Sequence, residues 1–134
     1  NAIQWYLAEG TRFLPEDALA RAQALQWMFF EQYSHEPFIA VLRHWMHTRL
    51  DPSRKSQVTE KRKGGYEALS VMEAHLHLRD FFAGGRYSIA DIALYAYTHV
   101  AHEGGFDLAA YPAVNAWLEC VRGQANHVPI EHDA

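Results

Sequence analysis

At 134 residues the chain is one domain or slightly more, long enough to remove about two-thirds of its unfolded surface from water. Its 49% hydrophobic and 13% aromatic content excludes disorder. Twelve basic against 16 acidic residues give a net charge of −4, with no general pull toward nucleic acid or an anionic membrane. No apolar run approaches the ~20 residues of a membrane span, and no secretory signal is visible at the start.

Cys120 is the single cysteine, so no internal disulfide can form and a reducing cytoplasm is the expected home. It follows Trp117 on an apolar helical face, which predicts a buried core thiol.

Asn1 to Ala8 reads as a short helix, with Ile3 and Leu7 four apart. Gly10 and Pro15 mark a connector. A long helical pattern starts near Glu16 and Asp17, with a stripe of Ala18, Ala22, Leu25, Met28/Phe29 and Gln32/Tyr33. Pro37 removes a backbone donor and crowds the preceding turn, which predicts a kink. The pattern resumes through Phe38, Val41/Leu42, Trp45 and Met46. Asp51 to Lys63 is a polar break, and its Arg and Lys residues lack interleaved aromatics, so it reads as a solvated loop and helix start. A third helix is predicted from Thr59 to Phe82, weakened by Gly64-Gly65 and ended by Gly84-Gly85.

The tract from Tyr87 to Val100 is the most informative. Ser88 suits an N-cap, and Asp91 three residues on can reach back to the Ser88 amide. Tyr87 and Ile92 are placed for a hydrophobic staple. Ile89, Ile92, Ala93, Ala96 and Val100 fill one face, and Leu94, Tyr97 and Ala101 another. A helix apolar nearly all round belongs at the centre of a bundle. Gly104-Gly105 ends it, Pro112 opens a fifth helix, and Val114, Trp117, Leu118 and Val121 form that helix's stripe. A polar tail follows Gly123. The expected fold is all-α, a bundle of four to five helices.

Nine histidines invite a metal reading. His44/His47 and His99/His102 are i, i+3 pairs, and His75/His77 an i, i+2 pair. No Cys cluster or HExxH motif completes a ligand set, so no metal is expected.

The segment Leu76-(2)-Arg79-Asp80-Phe81-Phe82-Ala83-Gly84-Gly85-Arg86-Tyr87-Ser88-Ile89-Ala90-Asp91 resembles the "hL..rdfLaG..yTiADi" segment of cytosolic glutathione S-transferases. Tyr111-Pro112-Ala113-Val114-(2)-Trp117 is similar to the family's following "yPav..W" helix. Trp27-(3)-Glu31-Gln32-Tyr33-(3)-Pro37 resembles the first long helix of the C-terminal domain in bacterial members, and Asn1-Ala2-Ile3-(2)-Tyr6-Leu7-Ala8 the last helix of the preceding thioredoxin-like domain. The resemblance divides the chain into a remnant of that domain and connector at 1–10 and the helical domain at 11–134.

What the resemblance implies is a helical domain that supplies an electrophile pocket and a dimer interface. Glutathione is the co-substrate of the full-length protein, a cytoplasmic homodimer acting on small electrophiles, with no nucleic-acid or membrane partner. The thiol-activating residue belongs to the thioredoxin-like domain, so no catalytic residue is expected on this chain. By position, Phe29, Gln32, Tyr33 and Phe38 are candidates to line the electrophile pocket, with Tyr97 reaching it from the central helix. Ser88 and Asp91 are structural. The alternative is a non-catalytic interaction or ligand-binding module of the same family.

Overall fold

The computed structural model describes residues 1–48 and 52–130. Six α-helices follow in order: α1 (Ala2–Ala8), α2 (Ala18–Phe30), α3 (Glu36–His47), α4 (Lys55–Leu76), α5 (Ile89–Thr98) and α6 (Pro112–Arg122). A π-helical turn, Glu31–His35, joins α2 directly to α3, so these two are halves of one bent rod. Short 3₁₀ turns precede α4 (Pro52–Arg54) and follow α5 (Ala101–Gly104). No strand occurs among the described residues, and the all-α bundle expected from periodicity is the fold observed.

The core surrounds α5. Ile89, Ala90, Ala93, Leu94 and Tyr95 are buried, together with Met28, Ile39, Leu42, Leu69, Met72 and Trp117. Ala96 is exposed and Ile92 and Tyr97 are half-buried, so α5 is wrapped on most sides rather than all. The capping box is formed. Asp91 accepts the Ser88 backbone N–H at 2.9 Å, and the Ser88 hydroxyl accepts from the backbone of Asp91. The Ile89 N–H, another amide left over by the helix start, is taken by the carbonyl of Phe13 at 2.9 Å.

The Asp91 carboxylate does more than cap. Its Oδ2 also accepts the Ser88 hydroxyl at 3.0 Å. Its Oδ1 accepts the Phe82 N–H at 3.1 Å and the Trp117 indole N–H at 3.0 Å. One buried side chain therefore joins the loop after α4, the start of α5 and the middle of α6. Burial pushes its pKa up, and the donated hydrogen bonds pull it back.

Helix α6 is capped from outside. Tyr111 offers no side-chain cap and Pro112 has no N–H. Glu73, in the last turn of α4, accepts the N–H groups of Ala113 and Val114 at 3.0 and 2.9 Å. The stripe of Val114, Trp117, Leu118 and Val121 is buried as its spacing predicts.

Several expectations are corrected. The core-facing side of α2 is Ala20, Ala24 and Met28, continued by Glu31 and His35. Leu25, Phe29 and Tyr33 of the predicted stripe lie on the outer side, with Phe29 66% and Tyr33 86% exposed. Small alanines let α2 approach α5 closely, whereas the bulkier residues sit a third of a turn away. The interruption expected at Pro37 takes the form of a five-residue π turn immediately ahead of it, over which α2 runs on into α3. Helix α4 stops at Leu76, and Phe81 and Phe82 belong to the loop that reaches Asp91. It also runs unbroken through Gly64-Gly65. A Cβ on Gly64 would lie 2.4 Å from the Phe38 ring, and one on Gly65 2.4 Å from Phe106, so both glycines seat aromatics. Cys120 is exposed, because the buried stripe of α6 passes at 117, 118 and 121 and leaves 120 on the flank. Asp51 at the start of the polar break and residues 131–134 of the polar tail lie outside the described residues.

The two-oxygen geometry at Asp91 sets a stability order. Ser88→Ala should cost ~1 kcal/mol, as for a lost cap. Asp91→Ala should cost ~3 kcal/mol or more, because it leaves the Phe82 and Trp117 donors buried and unpaired. Asp91→Asn should be nearly as damaging, since an amide replaces one acceptor oxygen with a donor. Urea melts of the three variants check this; an Asn variant as stable as the parent would contradict it.

Candidate functional site

Two surface concavities flank the bent rod. One is an apolar groove of about 590 Å³ between α1 and α2, lined by Asn1, Ala2, Trp5, Leu25, Phe29 and Gln32 over Met28. The other is a cleft of about 420 Å³ between α3 and α5. Its wall is one face of α3, Glu36, Ala40, Arg43/His44 and His47, spaced one helical turn apart. Val41, Trp45 and Tyr97 complete it.

The predicted pocket residues are therefore divided. Phe29 and Gln32 line the α1–α2 groove, and Tyr97 lines the α3–α5 cleft. Tyr33 points to solvent from the π turn. Phe38 packs on Gly64 of α4, with the Lys61 ammonium 5.2 Å from its ring centre.

The π turn carries polar groups that periodicity did not single out. Glu31 is buried and accepts from Asn1 Nδ2 at 2.9 Å and Gln32 Nε2 at 3.1 Å; burial pushes its pKa up. His35 is fully buried, with Nε2 2.9 Å from the Thr98 hydroxyl of α5. That hydroxyl donates to the Leu94 carbonyl at 2.6 Å. Its oxygen must then accept from His35, which fixes the Nε2–H tautomer. Nδ1 is left as a buried acceptor with no partner among the described residues. Burial holds the His35 pKa down at about 4. The one available signal was the i, i+4 spacing of Glu31 and His35 on the face that also carries Ala20, Ala24 and Met28.

At the far end of the cleft, Glu103 bridges two helical turns of α3. Its Oε2 lies 2.5 Å from Arg43 Nε and 2.6 Å from His47 Nε2. The His47 hydrogen bond, followed by Arg43, holds the Glu103 carboxyl below its ordinary range. Behind Glu103, the chain after α6 folds back so that His127 meets the Tyr95 ring edge-on at 5.3 Å. Among the described residues no group of three His, Cys, Asp or Glu could hold a metal ion.

Residues 22–125, from the second turn of α2 to just past α6, match the glutathione S-transferase C-terminal domain. The chain belongs to this family. The fold superposes on a glutathione S-transferase from Pseudomonas fluorescens with a TM-score of 0.93 at 51% identity, covering 98% of this chain and 66% of that one. A glutathione S-transferase from Xanthobacter autotrophicus gives a TM-score of 0.94 at 44% identity, over 98% of this chain and 64% of that one. The disulfide-bond oxidoreductase YfcG of Escherichia coli is 33% identical over 126 residues, 92% of this chain and 58% of YfcG. The chain thus spans about three-fifths to two-thirds of these relatives' lengths.

Within this glutathione S-transferase domain, His35 makes stability depend on pH. An unfolded histidine titrates near 6.5, and His35 in the fold near 4. Between those values the unfolded state binds the extra proton, so stability falls as pH drops from about 6.5 to 4 and no further below. The expected loss is ~3 kcal/mol. His35→Gln, whose amide can still donate to Thr98, should flatten this part of the profile. Urea melts at pH 7 and pH 4 check it; an unchanged pH slope in the variant would remove His35 from the account.

Proposed function

We propose that this chain is the helical electrophile-pocket and dimerisation domain of a glutathione transferase. The full-length protein conjugates the glutathione thiolate to small electrophiles, as a cytoplasmic homodimer without nucleic-acid or membrane partners. The α3–α5 cleft is the observation that carries the reading. It combines an apolar floor with hydrogen-bond donors in a chain whose family is established. Conjugation needs an apolar platform that holds the electrophile near the sulfur. It also needs a lowered thiol pKa, because the thiolate is the nucleophile. The cleft can supply the first. The second is assigned to the portion of the relatives' length that this chain does not span, a thioredoxin-like domain for which 1–10 is the closing remnant.

Of the predicted pocket residues, Tyr97 is retained at the electrophile. Phe29 of α2 and Gln32 and Tyr33 of the π turn are assigned outside the electrophile site; Phe29 and Tyr33 are exposed, as are Ile3, Tyr6 and Leu7 of α1, and exposed apolar side chains of this kind suit burial against another domain or subunit. Phe38 shapes the rod from behind. No helix among the described residues is long and apolar enough to cross a bilayer.

The identity to YfcG favours a second reading, in which the same cleft holds a disulfide that glutathione reduces. Assays of the full-length natural protein with glutathione separate the two. Turnover of a chlorodinitrobenzene is expected, and turnover of a hydroxyethyl disulfide alone would favour the second reading. The 134-residue chain by itself, shown folded by circular dichroism, should have negligible activity with either. Retention of the full-length protein on immobilised glutathione with neither activity would assign a non-catalytic binding module.

A further inference from the structure

The two ends of the α3–α5 cleft differ in charge. Glu36 stands at one end. At the other, Arg43, His44 and His47 project from successive turns of α3. There the Arg54 guanidinium also lies 5.2 Å from the Trp45 ring centre. Glu103 is the carboxylate that answers this group, and it engages Arg43 only through Nε. Among the described residues, the two terminal nitrogens of Arg43 and both ring nitrogens of His44 have no hydrogen-bond partner. Between the two ends the cleft is floored by Ala40, Val41 and Tyr97 beside Trp45. At about 420 Å³ it falls within the size range of small-ligand sites.

We propose that the cleft selects aromatic electrophiles bearing a carboxylate, with the ring on the Tyr97 side of the floor and the carboxylate held by Arg43 and His44. The proposal rests on reading this cleft as the electrophile site. A guanidinium whose Nε is already fixed presents its remaining N–H groups in a set plane, the geometry a carboxylate accepts from. Its attachment to Glu103 pre-orients it, so little rotamer freedom is lost on binding. His44 is exposed and needs no rearrangement to add a donor. Glu36 repels the carboxylate from the opposite end, so the charge pattern sets the ligand's direction as well as its class. In the transfer step the glutathione sulfur forms a bond to the ring carbon, and chloride leaves with the bonding pair. Arg43 and His44 take no part in that exchange; they bind and orient.

Calorimetry on the full-length natural protein, comparing unreactive nitrobenzoate with neutral nitrobenzamide, tests the inference. The benzoate should bind about tenfold more tightly, the scale of one added charge-assisted hydrogen bond. The preference should fall toward parity in His44→Ala, which removes the donor, and in Arg43→Lys, which keeps a cation beside Glu103 while removing the fork. No preference in the parent, or a full preference in both variants with native circular dichroism, would overturn it. Rates with a chloronitrobenzoate, corrected for uncatalysed reactivity, keep the two readings apart. Selective, Arg43-dependent binding without conjugation would sustain the anion site and defeat the transferase reading. Conjugation of a chlorodinitrobenzene with no benzoate preference would do the reverse.

Discussion

The carboxylate of Asp91 is the group on which the bundle depends. Its two oxygens accept from the Ser88 amide and hydroxyl, the Phe82 amide and the Trp117 indole, all buried. The four donors come from three segments around α5, with two of them on Ser88, and each would be costly to leave unpaired. A buried carboxylate is itself costly to desolvate, and only a full set of donors offsets that. One carboxylate therefore couples the cap, the loop and α6. Aromatic packing follows the same node. Phe82, placed by its amide on Asp91, meets Trp27 at 4.6 Å, His75 at 5.4 Å and Trp117 at 5.1 Å. This links α2, α4 and α6 through one ring.

The bent rod is the second organising feature, and it separates two kinds of surface. Ahead of the π turn, α2 turns alanines inward and leaves larger apolar residues outside. After it, α3 presents Arg43, His44 and His47 to a cleft. An inserted residue in a helix rotates everything beyond it by about 100° relative to the first half. That rotation is how one continuous stretch can turn alanines to the core with its first half and line a cleft with its second. The His35–Thr98 bond fixes the turn to α5, so the cleft's two walls are held in register.

Much of this was legible in the chain. The Ser88–Asp91 box and the 114–117–118–121 stripe are local patterns, and both formed as read. The resemblance carried by 76–91 and 111–117 pointed to the family that the matches established. The division of the pocket candidates was not legible. Phe29, Gln32, Tyr33 and Phe38 share one stretch of sequence, but a π turn between 31 and 35 changes which side faces what, and a uniform 3.6-residue period cannot register it. Gly64-Gly65 looked like a weakness in α4, because propensity sees only the lost side chain and not the Phe38 and Phe106 rings that occupy the space.

The sequence by itself determined the helical class, the start of the central helix and the kinship, since each rests on spacing within about one or two turns. Only the tertiary structure decided the roles that need partners distant in the chain. Asp91 became a four-donor acceptor because Phe82 and Trp117 arrive from either side of it. Glu73 became the cap of a helix that begins 39 residues later. Arg43 and His47 are held in one wall of a cleft by Glu103, which reaches them from the 3₁₀ turn after α5. Periodicity reports which side of a helix is apolar. Which neighbour meets that side, and which charges converge over it, is settled only when the helices pack.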